Sequence, residues 1–418
     1  MSVYRAAWVC PISQPPIRDG WVAVAHGRIT AVGTPGQPAP AQSRDLGPVA
    51  LLPGLINAHT HLELSWLRGR VPPAADFVAW IAQLFATRGA RSERPDDLRV
   101  LDAARQAAQE MREHGTIGVG DITNSLVSVE SIRASHLRGI VFHELFGFNL
   151  TTAQRVIDSR PLRETASRAG APAVHVAVAP HAPYSVSPEL FRAIREEVDR
   201  SPVPITSVHV AESSSEVDFL RDGSGPWPGI LKLVGSARDD WNPPGMSPVA
   251  YLDSLGVLDA RTLVVHAVQV PDADLARLAH IGCTIVTCPR SNQWVGVGVP
   301  PVQRFYASGV KVAIGTDSLA SVEDLNLFSE LKTMRWLAPS VPAATLLESA
   351  TRIGAEALGL GEELGTIETG KRAALIAVDL DGAAKPPASA GHRRETASEI
   401  EEYLVSGIDS RQIHWVST

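Results

Sequence analysis

The sequence predicts an α/β protein: a (β/α)8 TIM-like barrel with a small β-sandwich domain built from both termini. Three observations predict it. Eight apolar runs of strand length recur through the middle of the 418 residues, most of them followed by a helical pattern. These runs are unbroken rather than alternating, so both faces are covered, as in parallel strands. The two ends of the chain share a style of short strands and turns that the middle lacks. Eight strand-plus-helix units between residues 51 and 365 fit a closed parallel barrel. A doubly wound open sheet is the runner-up, but it wants a glycine-rich phosphate turn after its first strand. Pro53-Gly54-Leu55-Ile56-Asn57-Ala58 is not one.

The elements follow in chain order. Trp21–Ala25 and Arg28–Val32 flank His26-Gly27, which reads as a tight hairpin. The expected barrel strands are 49–55, 116–121, 139–145, 174–179, 204–211, 262–267, 284–287 and 311–315. Amphipathic helices are expected over 97–114, 188–199 and 322–336. Residues 221–247 break the pattern with nine Gly and Pro residues plus Trp227 and Trp241, and read as a lid or binding loop. The sandwich style returns over 373–378, 402–406 and 413–416, around a polar Ala/Pro-rich stretch at 379–396. The expected domains are therefore 1–50 plus 366–418, and 51–365.

Composition excludes several classes. Lys+Arg is 38 against 45 Asp+Glu, a net charge of −7 with no basic cluster, so no nucleic-acid partner is expected. No stretch of about 18 apolar residues occurs, so no membrane span is expected. The first twenty residues lack the order of a signal peptide. Three cysteines, Cys10, Cys283 and Cys288, cannot build a disulfide framework and suit a reducing cytoplasm. The expected partner is a small-molecule substrate.

The chemistry starts at His59-Thr60-His61, two imidazoles on one face at the close of an apolar run. A lone His-x-His carries little weight. Its weight grows because His209 sits at the end of the fifth run, His266 at the end of the sixth and Asp317 just past the eighth. All strands of a parallel barrel end at one mouth, so these residues are expected to converge. Imidazoles plus one carboxylate, with room for water, suit a catalytic divalent metal site.

Leu52-Pro53-Gly54-Leu55-Ile56-Asn57-Ala58-His59-Thr60-His61 resembles the signature that opens the barrel of the amidohydrolase superfamily. The stretch 365–376 is similar to that superfamily's return into its sandwich, with Ala374 in place of its usual Asp. The fourth run ends Val178-Ala179-Pro180-His181 without the bridging Lys of two-metal members, so one metal is implied. A two-metal variant would have to use Glu144. His209-Val210-Ala211-Glu212 resembles the His-x-x-Glu of the deaminase and chlorohydrolase branch.

The resemblance implies roles. His59, His61, His209 and Asp317 would hold one divalent ion, zinc above all, with iron or manganese able to occupy the same set. Asp317 would take a proton from the attacking water. His266 would orient that water or act as a weak extra ligand. Glu212 would protonate a ring nitrogen and then the leaving ammonia. His181-Ala182-Pro183-Tyr184 and Leu67-Arg68-Gly69 resemble segments of the deaminases of S-adenosylhomocysteine and methylthioadenosine. His181 is thus a substrate-binding candidate. Ala79 replaces the Glu that binds ribose hydroxyls there.

Glu63 resembles instead the bacterial aminodeoxyfutalosine deaminases of menaquinone biosynthesis. The benzoate of that substrate would meet Arg68, Arg70 or Arg290. Asn292, in Cys288-Pro289-Arg290-Ser291-Asn292, looks like the branch's turn after the seventh strand and joins the substrate-side candidates. The resemblance therefore implies a metal-dependent deaminase of a 6-aminopurine nucleoside, with aminodeoxyfutalosine favoured. The alternatives are a guanine-type or other heterocycle deaminase, a chlorohydrolase, an amide hydrolase, or a non-catalytic metal-binding scaffold. A homodimer is the superfamily habit.

Overall fold

The computed structural model describes residues 1–34, 36–89, 97–380 and 396–416. Two four-stranded parallel sheets dominate. The first runs Leu55–Thr60, Thr116–Thr123, Arg138–Leu145, Val174–Pro180; the second runs Thr206–Val210, Thr262–His266, Thr284–Thr287, Lys311–Ile314. Nearly every residue of these strands is buried, which is what unbroken apolar runs require when helices cover the outer face. Hydrogen bonds also link the sheets at both edges. The His209 amide donates to the His181 carbonyl at 2.9 Å, and the Thr316 amide to the His59 carbonyl at 3.0 Å. Gly315 permits the second approach, because a Cβ there would stand 2.7 Å from both the Cβ and the carbonyl oxygen of His59.

The expected first barrel strand needs correcting. Val49–Pro53 lies in a different, mixed sheet, antiparallel to Leu375–Asp379 and parallel to Trp8–Val9. The first parallel strand is Leu55–Thr60. Gly54 separates the two, and a Cβ there would meet Ile117 at 2.7 Å and Trp415 at 3.0 Å. The chain therefore passes from one sheet to the other at the one residue small enough to slip past both side chains.

The terminal strands otherwise follow expectation. Trp21–Ala25 and Arg28–Val32 pair antiparallel around His26 and Gly27, both at positive φ, as a primed hairpin turn requires. Ile413–Trp415 pairs with Leu375–Asp379. The strand style read over 402–406 is wrong: helix Ala397–Val405 occupies it, started by a capping box between Thr396 and Glu399. It buries Ile400, Tyr403 and Leu404 on one face. Most of the 379–396 stretch, from 381 to 395, lies outside the described residues.

Helices Leu98–Glu113 and Pro188–Asp199 match expectation, capped by Asp97 and Ser187. The expected 322–336 helix starts late, at Leu327, where the Asn326 side chain caps it. The loop at 221–247 contains helix Trp227–Leu233, whose Trp227 ring stacks on Tyr184 at 3.7 Å. Trp241 packs on Phe148 and Phe219. Both tryptophans thus anchor the loop over the strand ends. Among the described residues, no helix is long and apolar enough to cross a membrane.

Candidate active site

His59 belongs to the first parallel strand and His61 follows it. His209 and His266 sit in the fifth and sixth, and Asp317 lies three residues past the eighth. The fold brings all five together. His59, His61 and Asp317 each place a ligand atom within 4.8 Å of the others, and so do His59, His209 and His266. Asp317 Oδ1 is 3.6 Å from His61 Nε2 and 3.9 Å from His59 Nε2. The ring centres of His59 and His209 are 5.0 Å apart.

The chain leaves these strands in strained conformations. Ala211, His266 and Asp317 have φ of +49°, +71° and +60°. L-residues rarely adopt that left-handed region, and each instance costs about 1–3 kcal/mol unless its surroundings enforce it. Here they do. The buried Glu216 carboxylate accepts from the amides of Ala211 and Glu212, at 2.8 and 2.9 Å. The Asp317 amide donates to the His59 carbonyl, and Thr60 Oγ1 donates to the Asp317 carbonyl at 2.9 Å. These bonds hold the turns at Ala211 and Asp317.

Burial sets the electrostatics. Loss of water holds the His59, His181 and His266 imidazoles well below their ordinary pKa, pushes His61 down to about 3, and pushes His209 down to about 4. For His59, His181 and His266 the neighbouring imidazoles add to the effect. Burial raises Glu212 well above the carboxylate range, reinforced by Asp317 and Glu216, and also raises Asp317. Glu144 is pushed up to about 8 for the same first reason.

The donor set fits a divalent metal. Both ring nitrogens of the fully buried His59 lack a hydrogen-bond partner, a costly arrangement in a dry interior unless a cation uses a lone pair. His209 Nδ1 lies 3.1 Å from the His181 carbonyl, so Nδ1 donates and Nε2 keeps its lone pair for a metal. Asp317 Oδ2 accepts from Ser291 Oγ at 2.5 Å and Ser321 Oγ at 3.2 Å, leaving Oδ1 facing the imidazoles. A further group, Glu144, His181 and His209, also meets the spacing of metal ligands. Glu144 Oε1 lies 3.4 Å from His209 Nδ1.

These residues open into a cavity of about 240 Å³. His61, His209, His266, Asp317, Glu212 and His181 line one end, and Phe77, Trp80, Tyr184, Trp227 and Ile230 form apolar walls. A larger hollow of about 490 Å³ lies against helices Gln154–Gly170 and Pro188–Asp199 and holds none of the converging groups.

The substrate-side candidates fare unevenly. His181 lines the cavity, its Nδ1 fixed by Ser185 Oγ at 2.6 Å. Glu63 lines it too, but its carboxylate already accepts from Thr123 Oγ1, the Asn124 amide and the Ser125 hydroxyl. It braces the turn after the second parallel strand. Arg68 does not line the cavity: it is exposed and paired with Glu110. Asn292 is buried and bonded to His266, so it sits behind the site rather than on its wall. Arg290 is held by Asp324 at 2.8 Å and by Glu330, and Arg70 stacks near Trp66. Sequence reasoning missed Glu216 and Ser291. Glu216 had a signal, a second acid one helical turn after Glu212.

A model described as the amidohydrolase family matches residues 50–407. An aminodeoxyfutalosine deaminase of Deinococcus radiodurans is 32% identical over 355 residues, 81% of each chain. A 5-methylthioadenosine/S-adenosylhomocysteine deaminase of Moorella thermoacetica is 32% identical over 384 residues, 89% of this chain and 84% of that one. The crystal structure of an adenosine deaminase from Xanthomonas campestris with bound zinc superposes with a TM-score of 0.78 at 30% identity, covering 98% of this chain and 90% of that one. The likeness implies the TIM-barrel α/β fold expected from the sequence. With its matched span and its converging imidazoles, this chain belongs to the amidohydrolase family.

Proposed function

We propose that this protein is a metal-dependent hydrolytic deaminase of a 6-aminopurine nucleoside, with aminodeoxyfutalosine as the favoured substrate. One observation carries the reading: the buried Glu212 carboxyl, its pKa raised by loss of water, stands beside a His and Asp donor set in one partly apolar cavity. The names of the Deinococcus and Moorella relatives support the substrate class. The ligands are His59, His61, His209 and Asp317, and zinc is the ion favoured by that donor set and by the zinc in the Xanthomonas structure. When bound, the ion supplies a water acidic enough to attack at neutral pH.

The residues divide the remaining work. Glu212 gives its proton to a purine ring nitrogen, which makes the adjacent C6 electrophilic. Asp317 accepts a proton from the attacking water as the C6–O bond forms. That proton passes to the 6-amino group, the C6–N bond breaks and ammonia leaves, and the C6 hydroxyl returns a proton to Glu212 to give the 6-oxopurine product. His266 directs Nε2 towards Glu212 Oε1 at 3.5 Å and orients the reacting groups between them. His181 presents its free ring edge to the sugar side. The reading includes eight parallel strands closed into one barrel, a sandwich built from the terminal strands, a cytoplasmic setting suggested by three free buried cysteines, and a homodimer.

The test is direct. Zinc-loaded protein incubated with aminodeoxyfutalosine, methylthioadenosine and adenosine should release ammonia and shift the purine absorbance. Chelation should abolish this and zinc restore it. Absence of ammonia from all three refutes the proposal.

A further inference from the structure

The short helix Pro289–Trp294 follows the seventh parallel strand and buries Pro289, Ser291 and Asn292. Adjacent residues on a helix point about 100° apart, so neighbours reach different partners. Asn292 Nδ2 bonds to His266 Nδ1 at 2.9 Å, on the sixth strand. Ser291 Oγ donates to Asp317 Oδ2 at 2.5 Å, past the end of the eighth. The sixth and eighth strands flank the seventh in the sheet, so one helical turn grips a group on either side.

The helix is pinned at both ends. The Arg290 amide donates to the buried Glu330 carboxylate at 3.2 Å, and the Arg290 guanidinium pairs with Asp324 at 2.8 Å. Trp294 Nε1 donates to the Val71 carbonyl at 3.1 Å, and the Trp294 carbonyl accepts from the Ala74 amide at 3.0 Å.

A carboxylate is symmetric about its Cβ–Cγ bond, so Asp317 alone does not decide which oxygen faces the imidazoles. Its donors decide. Ser291 and Ser321 both reach Oδ2, at 2.5 and 3.2 Å, and the Ser318 amide also donates to the carboxylate. A hydroxyl has one proton. With that of Ser291 given to Asp317, Ser291 accepts in its 2.9 Å contact with Ser321 Oγ. Hydrogen bonds in such a chain strengthen one another in a dry interior. Ser291 and Ser321 are fully buried, so bulk solvent does not supply the bond in their place. Oδ1 is left 3.6 Å from His61 Nε2 and 3.9 Å from His59 Nε2.

We infer that Ser291 is a positioning residue for the metal: its hydroxyl fixes the Asp317 carboxylate so that Oδ1 is presented to the ion shared with His59, His61 and His209. Ser291 does not line the cavity and acts only through Asp317. This deepens the deaminase reading and rests on its metal site.

The experiment compares wild type, Ser291→Ala and Ser291→Thr. Zinc affinity is read by competition with a chromogenic chelator, ligand geometry by the visible spectrum of the cobalt-substituted protein, and activity by kcat and KM on aminodeoxyfutalosine and methylthioadenosine. Ser291→Ala should bind zinc about 10–100-fold more weakly, change the cobalt spectrum, and at saturating zinc lower kcat more than it raises KM. Ser291→Thr keeps the hydroxyl and should recover part of the zinc affinity. A lower melting temperature with zinc affinity and cobalt spectrum unmoved overturns the assignment and leaves Ser291 a packing residue. A loss of affinity in Ser291→Thr as large as in Ser291→Ala also overturns it, because the hydroxyl is then not the cause. If wild type deaminates neither substrate, yet Ser291→Ala binds zinc about tenfold more weakly and Ser291→Thr recovers, the positioning role stands and the deaminase reading falls. If both substrates turn over and Ser291→Ala matches wild type in zinc affinity, cobalt spectrum and kcat, the deaminase reading stands and the positioning role falls.

Discussion

Asn292 Nδ2 lies 2.9 Å from His266 Nδ1. An amide nitrogen can only donate, so Nδ1 accepts and the imidazole proton sits on Nε2, which faces Glu212 Oε1 at 3.5 Å. His266 closes a strand and Asn292 lies in the short helix Pro289–Trp294, yet one hydrogen bond fixes which ring nitrogen is a donor. Asn292→Asp should reverse that demand, because a carboxylate accepts from Nδ1. Turnover should fall by about 10–100-fold, the range for losing a group that orients an active-site histidine. Zinc content should stay at wild-type level. An unchanged kcat would show that the Nε2 proton is not used.

Glu212→Gln keeps the shape of the side chain and removes its proton donor. The deaminase mechanism predicts a loss of kcat of about 10²–10⁴-fold, with zinc content unchanged by metal analysis. Thermal stability should not fall, since the native state no longer has to shelter a buried acid. A variant with near-normal kcat would assign ring protonation elsewhere.

Glu216 uses both carboxylate oxygens on the strained turn at Ala211 and Glu212. Glu216→Gln offers one acceptor oxygen and one donor, so one buried amide loses its partner at a cost of about 1–3 kcal/mol. Melting temperature should drop, and kcat should drop more than KM rises, because the turn aims Glu212. Loss of stability with normal kcat would leave Glu216 a purely structural brace.

Glu330 is fully buried and is pushed up to about 8 by that burial, against the opposing pull of Arg290 and with Asp324 and Asp317 adding to the rise. A raised native pKa means that the folded chain holds this proton more tightly than the unfolded chain does. Its stabilising effect is complete below the ordinary glutamate range and is lost as pH climbs to about 8. Glu330→Gln lacks the titration. Its melting temperature relative to wild type should therefore rise by a few degrees (~2–4 °C per kcal/mol) between pH 5 and 8.5. A constant difference across that range would contradict the assignment.

The convergence of His59, His61, His209, His266 and Asp317 was legible because each lies at or just past the end of an apolar run, and parallel strands gather their ends on one side. The first strand was misplaced because no polar side chain interrupts the chain from Val49 to Ile56, across two strands in two sheets. Only Pro53-Gly54 marks the passage, and nothing in a covered strand changes period there. Helix Ala397–Val405 was read as a strand from Tyr403, Leu404 and Val405, although Thr396 and Glu399 upstream hold the capping signal. The cavity wall formed by helix Phe77–Arg88 was invisible because the sequence does not say which face of that helix turns inward. Residues 90–96, which follow it, lie outside the described residues.

Val49–Pro53, one residue ahead of the strand that carries His59, is held in place by Leu375–Asp379. A ribosome finishes His59, His61, His209, His266 and Asp317 before it makes that partner. At about 5–20 residues per second, the gap is ~3–12 s. Throughout that interval the nascent chain owns all its proposed ligands while the edge beside Val49–Pro53 lies open. Ion capture should consequently be a late event in biogenesis, timed by the emergence of a distant strand that contributes no donor atom.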